Sequence, residues 1–354
     1  MLASSSEQTG SDSTPLVSII ILNWNGAACL PRCILAVQSQ TYPNYEAIII
    51  DNASSDHSAD DLESAWGTEQ GKNPRWRLVR LEQNLGFAAA NNLGARLAQG
   101  RWLALLNNDA FPEPDWLASL IQAARTRPEY AFFSSRLVQA RRPELLDGAG
   151  DVYHTSGLAW PRMRGQPLES APQQPDEVFS PCAAAALYDR EAFLRVGGFD
   201  ETYVSHHEDV DLGFRLRLDD LRCLYVPDAI VAHLGSASYG IESDHTVYQV
   251  QRNLIWTYLK NMPGGLLWKY LPAHLAANLF HLVYYSLRGQ AGAVWRAKWD
   301  AVQDLPAVLR KRRTVQSQRK VSAAQMARAF EHGLLSPYLL GRRGAALKKR
   351  LHLR

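Results

Sequence analysis

Cysteine is scarce in this chain, with four in 354 residues, at positions 29, 33, 182 and 223. Cys29 and Cys33 have helical i,i+4 spacing, but no second Cys/His pair completes a zinc pattern, so buried thiols are the expected reading. Nothing demands an oxidising compartment. Internal repeats are absent, which excludes solenoids and propellers. The first apolar run leads to Asn23-Trp24-Asn25-Gly26 and not to a Gly-x-Gly-x-x-Gly turn, which disfavours a dinucleotide-dependent oxidoreductase. Acidic residues almost vanish from the last third: residues 251–354 hold 19 Lys/Arg and 3 Asp/Glu, a balance of +16 against −13 for the rest. The acidic front argues against nucleic acid, and the basic, apolar back suits an anionic membrane surface. Residues 1–14 are Ser-rich and polar and lack the apolar core of a signal peptide, so a disordered tail is expected there.

What remains is a foldable globular composition, 46% hydrophobic and 21% charged. Residues 17–22, 47–50 and 102–106 are short apolar runs of the kind buried strands show, and 77–81 is a further strand. Helices are expected over 27–40, 87–99 and 116–125, with Pro31 tolerable in a first turn. Strands alternating with helices predict an α/β fold with a mostly parallel, right-handed sheet. Later strands are expected over 132–138, 183–188 and 223–226, the last ended by Pro227, with helices over 189–196 and 209–218. Residues 140–180, rich in Pro, Gly, Arg and Gln, read as a long irregular stretch of the kind that is usually functional.

Three acidic clusters carry the chemistry. Asp51 closes one apolar run, Asn107-Asn108-Asp109 follows another, and Glu208-Asp209-Val210-Asp211 comes later. The C-terminal ends of strands in an open parallel sheet form the ligand crevice. Carboxylates gathered there suit a metal–diphosphate site plus a general base. Each alone reads equally well as a cap.

From residue 251 the chain is expected to be helical. Residues 266–287 are apolar, but Lys269, Pro272, His274, Asn278 and His281 interrupt them, which disfavours a membrane span. Trp268, Tyr270, Tyr284, Tyr285, Trp295 and Trp299, mixed with Lys and Arg, resemble an interfacial helix set. A helical subdomain packed on the catalytic one is the other reading. Residues 310–313 and 348–350 add basic charge that would attract anionic lipid.

The motifs together resemble family 2 glycosyltransferases, and the bacterial rhamnosyltransferase-like branch in particular. The resemblance rests on residues 17–26, 40–46, 50–56 and 84–92, on Leu105-Leu106-Asn107-Asn108-Asp109, on Gly197-Gly198-Phe199-Asp200-Glu201 and on Glu208-Asp209-Val210-Asp211-Leu212. It covers about residues 15–260. It implies a Rossmann-like GT-A fold over 15–250, and the helical region over 251–354, read from its own residues as membrane-interfacial, follows that domain. It also implies an inverting, Mg²⁺- or Mn²⁺-dependent transfer of a sugar, rhamnose being a candidate, from a nucleotide-diphosphate donor. The acceptor would be a cell-envelope or lipid-linked glycan, and the protein would sit peripherally on the cytoplasmic face of the membrane.

By the same resemblance Asp51 binds the nucleotide base, and Asn23, Asn25, Asn84, Gly86, Asn91 and Asn108 belong to the donor site. Turn chemistry alone is the other reading of Asn84 and Gly86. Asn107-Asn108-Asp109 stands where the family has its Asp-x-Asp motif, with Asn107 in place of the first Asp. Asp109 keeps a carboxylate for the metal, and His233 is a further candidate ligand. Asp209 is the candidate base and Glu208 its rival. Asp211 is expected to be a helix N-terminal charge, and Trp160, His206 and His207 are weak acceptor-site candidates. The missing first Asp keeps open a membrane-associated, nucleotide-sugar-binding scaffold with a degenerate transferase domain.

Overall fold

A computed structural model of the chain describes residues 14–60, 62, 75–235 and 243–339. All of the expected tail at 1–14 except Thr14, and the basic cluster at 348–350, lie outside the described residues.

The first half alternates as the pattern predicts. Strand β1 (Val17–Asn23) leads to helix α1 (Leu30–Gln38), then to β2 (Tyr45–Asp51), β3 (Trp76–Arg80), helix α2 (Gly86–Leu97) and β4 (Trp102–Asn107). After β5 (Ala110–Pro112) and helix α3 (Trp116–Thr126) come β6 (Phe132–Gln139), β7 (Arg142–Gly148), β8 (Asp151–Tyr153), β9 (Ala159–Pro161), β10 (Asp176–Val178) and β11 (Ala185–Asp189). Helices α4 (Arg190–Arg195) and α5 (Glu208–Leu218) precede the last strand, β12 (Cys223–His233). The remaining helices are α6 (Asp244–Asn261), α7 (Gly264–Leu287), α8 (Ala291–Gln303), α9 (Leu305–Ser317), α10 (Ala323–Arg328) and the short α11 (Ser336–Leu339).

The main sheet runs β10-β12-β6-β11-β4-β1-β2-β3, with β5 paired to β12 and β7 to β6. Alternate residues of the central strands feed two cores. Ile19, Ile21, Ile49 and Leu106 pack with α1 and α3 on one face. Ile20, Ile48, Ile50 and Leu105 pack with α2 and α5 on the other. Helix α2 is Ala-rich because it lies very close to the sheet: a Cβ at Gly94 would fall 2.6 Å from Ile20 Cγ2.

The strands depart from the sequence reading in three places. The sheet is parallel only across β3-β2-β1-β4 and again at β6–β12, whereas β11 enters antiparallel to both β4 and β6. Parallel neighbours need a crossover connection, usually a helix, and the strands from β7 to β11 have none between them. Residues 140–180 are not uniformly irregular, since they hold β7 to β10. Strand β12 does not end at Pro227; it continues to His233 through a register shift between Val226 and Ile230, the kind of bulge that tolerates a proline.

The helical region starts at Asp244, so the expected junction at 250/251 falls inside α6. Tyr258, Met262, Leu266, Leu267, Met326 and Phe330 share one core with Tyr153, Phe179, Val210 and Phe214. Among the described residues no helix is long and apolar enough to cross a membrane. Of the residues that interrupt α7, Lys269 and Pro272 are exposed while the others face the protein: His274 stacks on Tyr258 at 3.9 Å and its Nδ1 donates to Ser156 O at 2.8 Å, Asn278 Oδ1 accepts from Lys298 Nζ at 2.6 Å, and Gln251 Nε2 donates to His281 Nδ1 at 3.2 Å.

Candidate active site

Parallel register aligns the ends of three strands. Asn23 closes β1 opposite Asp51, the last residue of β2, and Leu22 faces Asn107, the last residue of β4. Asn23 is fully buried and is the junction between them. Its Nδ2 donates to Asp51 Oδ1 at 2.9 Å and to the hydroxyls of Ser54 and Ser58 at 3.2 and 2.8 Å, while its Oδ1 accepts from Asn108 Nδ2 at 2.8 Å. Ser54 donates to Asp51 Oδ1 at 2.5 Å. Asp51, Asn23 and Asn108 thus form one hydrogen-bonded chain across the strand ends, with charge-assisted bonds holding one carboxylate oxygen in place. Gly26 is required there, because a Cβ would sit 2.2 Å from both Asn23 Oδ1 and Asn108 Nδ2.

Asp109 lies just past this chain. Its Oδ1 is 3.4 Å from His233 Nε2, and His233 Nδ1 is 2.8 Å from Asp147 Oδ2. Arg164 pairs with the other Asp147 oxygen at 2.9 Å. All of Asp109, Asp147 and His233 are buried. Burial alone would lower the His233 pKa, but hydrogen bonds and charge from Asp109 and Asp147 outweigh it and lift it to about 9. The β5–β12 pairing of His233 with Ala110 brings these residues together. Among the described residues no group of three His, Cys, Asp or Glu is arranged as a metal cage. Once a cation displaces the proton on His233 Nε2, the carboxylate and the neutral imidazole fit it as a pair, provided a ligand completes the shell with its own oxygens. Asp147 then stands behind the imidazole, where it fixes the tautomer that turns Nε2 toward Asp109.

The third cluster opens α5. His207 occupies the N-cap position, so Glu208 and Asp209 are the first two helical residues and Asp209 is not the cap. Asp209 Oδ2 accepts from the Ala183 amide at 3.3 Å, and Asn107 N donates to Ala184 O at 2.9 Å. Asp209 is therefore linked through the start of β11 to the end of β4. Burial raises the pKa of Asp209, opposed by the Ala183 and Val210 amides. Burial and then the neighbouring Asp209 push Glu208 well above the usual carboxylate range, and its Oε2 has no hydrogen-bond partner.

Asp211 lies in the first turn of α5, as expected of a helix N-terminal charge, but it is also part of a buried ion-pair cluster. It is fully buried, pairing with Arg215 at 2.8 Å and Lys260 at 2.7 Å.

Other candidates sit elsewhere. Asn25 is exposed, at φ 51°, and its Oδ1 accepts from the Ser55 amide at 2.8 Å, joining two turns. Asn84 Oδ1 accepts from Asn52 Nδ2 and the Gly86 amide at 2.9 and 2.8 Å, an arrangement that shapes the turn. Gly86 has φ +80°, which favours glycine. Asn91 Nδ2 donates back to Phe87 O within α2 at 3.0 Å, so the structure does not join it to the strand-end chain. Trp160 is buried, 6.3 Å from His154.

Sequence reasoning missed Asp147, Arg164 and Asn52. Asp147 and Arg164 fall in the stretch read as irregular. Asn52, buried beside Asp51, accepts from the Leu85 amide at 2.8 Å and positions the 84–86 turn. Its place next to Asp51 was the one available signal.

A parallel half-sheet with a polar edge at β1, β2 and β4, joined by an antiparallel β11 to a helix bearing paired carboxylates, defines the GT-A fold. The chain belongs to glycosyl transferase family 2, whose family model matches residues 18–197. The O-antigen biosynthesis protein RfbC of Myxococcus xanthus is 30% identical over 239 residues, covering 64% of this chain and 18% of that protein. The N-acetylglucosaminyl-diphospho-decaprenol L-rhamnosyltransferase of Mycobacterium tuberculosis is 27% identical over 262 residues, covering 64% of this chain and 78% of that protein. The chain spans only 18% and 26% of the length of the first two curated relatives it matches. Among solved structures, the mannosyltransferase PcManGT of Pyrobaculum calidifontis in complex with GDP-Man and Mn²⁺ aligns over 97% of this chain and 89% of its own, with TM-score 0.52 and 17% identity. GalNAc-T7 with UDP, GalNAc and Mn²⁺ aligns over 70% of this chain and 48% of its own, with TM-score 0.56 and 18% identity.

Proposed function

We propose that this protein is an inverting glycosyltransferase that uses a nucleotide-diphosphate sugar and a divalent cation. The observation that carries this is the alignment of Asp51, Asn23 and Asn108 at one sheet edge, with Asp109–His233 on one side and Asp209 tied to the neighbouring strand. Asp51 reads an N–H of the base, and the Asn52–Asn84 turn contributes to the nucleoside end. Asp109 and His233 hold the cation, Mg²⁺ or Mn²⁺, which when bound supplies positive charge to the departing diphosphate. Asp209 takes the acceptor hydroxyl proton as that oxygen bonds to the anomeric carbon and the bond to the diphosphate breaks. Burial and the neighbouring Asp209 disfavour the charged form of Glu208, which makes it less suited to that task. The rhamnosyltransferase relative supports rhamnose as the sugar and a lipid-diphosphate-linked glycan as the acceptor.

The acceptor chemistry fits a location on the cytoplasmic face of the membrane. Trp268, Leu275, Leu279, Val283 and Leu287 are exposed along α7, and Trp295, Trp299 and Val302 along α8. Apolar faces of this kind, flanked by Lys269, Arg288 and Arg296, are the form of an interfacial anchor.

The test is a hydrolysis and transfer screen over nucleotide sugars with Mg²⁺ and Mn²⁺. Metal-dependent release of one nucleoside diphosphate is expected, stimulated by a lipid-diphosphate glycan. Nucleotide-sugar binding without turnover under any acceptor would overturn the enzymatic reading and leave the scaffold, which Asn107 in place of the first Asp favours.

A further inference from the structure

The segment that leads into the base-bearing helix is held in an unfavourable backbone conformation. Val204, His206 and His207 have φ of 61°, 64° and 66°. Left-handed backbone is uncommon for non-glycine residues and a genuine outlier for a β-branched one such as Val204. Such conformations persist only where surrounding structure over-determines them. His207 is the last of them and the N-cap of α5, so the conformation of 204–207 sets where Glu208 and Asp209 project.

The constraint comes from one face of α6. Asn253, fully buried, donates through Nδ2 to the carbonyls of Tyr203, Ser205 and His206 at 3.2, 2.9 and 2.7 Å. One turn on, Thr257 Oγ1 is 3.1 Å from Tyr203 OH, which donates to Asp211 Oδ1 at 3.2 Å. A further turn on, Lys260 pairs with Asp200 at 2.6 Å and Asp211 at 2.7 Å, and Asn261 Nδ2 donates to Asp211 Oδ1 at 2.7 Å. Positions 253, 257, 260 and 261 share one helical face. This stripe grips both ends of the left-handed segment and the first turn of α5. On its other side the segment meets the donor-side turn, where the Phe87 amide donates to Val204 O at 2.9 Å.

We propose that Asn253 is a positioning residue: it clamps residues 203–207 so that Asp209 is presented to the acceptor hydroxyl, which makes α6 a working part of the active site. The proposal rests on the reading of Asp209 as the base. Its geometry needs nothing from the metal site.

The test uses the full chain and compares Asn253→Asp, Asn253→Ala, Asp209→Asn and the double variants. Asn253→Asp keeps the volume but presents an acceptor to three carbonyl oxygens, and Asn253→Ala serves if that variant fails to fold. Single-turnover transfer, donor affinity by calorimetry and thermal midpoint are read for each. Each Asn253 variant is expected to lose about 10²-fold in the transfer step, the scale of a misplaced catalytic group, with donor affinity within about twofold. In the double variants the losses should not multiply, because both residues act through one carboxylate. Wild-type transfer by both folded Asn253 variants, or losses that multiply in full, overturns the clamp while leaving Asp209 as the base. A wild-type rate for Asp209→Asn itself removes the base reading, and the clamp proposal with it.

Discussion

His233 Nδ1 lies 2.8 Å from Asp147 Oδ2, and both side chains are buried. The carboxylate thereby decides which imidazole nitrogen faces Asp109, and Arg164 balances its charge from the far side. Asp147→Asn should keep the shape while weakening the orientation of His233. Loss of an outer carboxylate of this kind typically lowers metal affinity about 10–100-fold. Mn²⁺ titration followed by electron paramagnetic resonance, with a nucleoside diphosphate present, should show that drop. Unchanged Mn²⁺ affinity would mean that His233 is a structural residue.

Asp109→Ala should abolish transfer and remove the metal dependence of donor binding. Near-normal turnover at low metal concentration would sink the assignment of Asp109.

Asp209 needs to be ionised to accept a proton, and burial raises its pKa. The rate should therefore climb with pH through a limb that lies above the ordinary carboxylate range. Asp209→Asn should lower the chemical step about 10²–10⁴-fold and abolish that limb, with donor affinity kept. An acid limb that survives the substitution would shift the base role to another group, Glu208 first.

Asp200 and Asp211 give the α5–α6 junction its own pH dependence. Burial alone would raise both, but Lys260 and Lys311 pull Asp200 well below the usual range, and Lys260 and Arg215 lower Asp211. A carboxylate depressed in the folded state contributes stability above its unfolded pKa, and that contribution is lost as pH falls through the folded value. Urea unfolding should show stability falling below about pH 4, the unfolded carboxylate range. Lys260→Met removes the cation that Asp200 and Asp211 share but leaves Lys311 and Arg215 as their partners, so it should destabilise at neutral pH by less than the about 3–5 kcal/mol of a buried charge left without any partner. A flat acid profile in the wild-type chain would show that the cluster is not coupled to folding.

Membrane docking is testable without truncation, which the shared core of α6, α7 and α5 would not survive. Replacing Trp295 and Trp299, which are 59% and 65% exposed, by Ser should weaken sedimentation with anionic vesicles while the thermal midpoint stays constant. Raising salt should weaken the wild-type interaction as well. No vesicle binding by the wild-type chain at low salt would end the idea.

What the sequence made legible tracks how each segment is buried. Strands β1, β2 and β4 are covered on both faces, so their apolar runs stood out, and the polar residues that end them marked the ligand edge. Strands β8 to β10, three residues each, are too short to show a period. Asp147, in the longer β7, was hidden for another reason: its meaning lies in pairing with a residue 86 positions away. Pro227 was read as a strand end because a bulge is invisible without the partner strand. Asn253 falls in a segment whose sequence shows only a helix, and the fold turns its face inward. Of the interruptions in α7, His274 and His281 owe their place to contacts with residues 156, 258 and 251, which only the tertiary structure shows.

The course of α6 has a practical consequence for exchanging parts between related transferases. A graft joined at residue 250 would enter the helix three positions before Asn253 and match one protein's clamp to another's loop. A graft taken from residue 198, just past the region matched by the family model, to 339 carries loop, base and clamp as one inherited piece. Acceptor preference should be transplantable in that larger unit and lost in the smaller one.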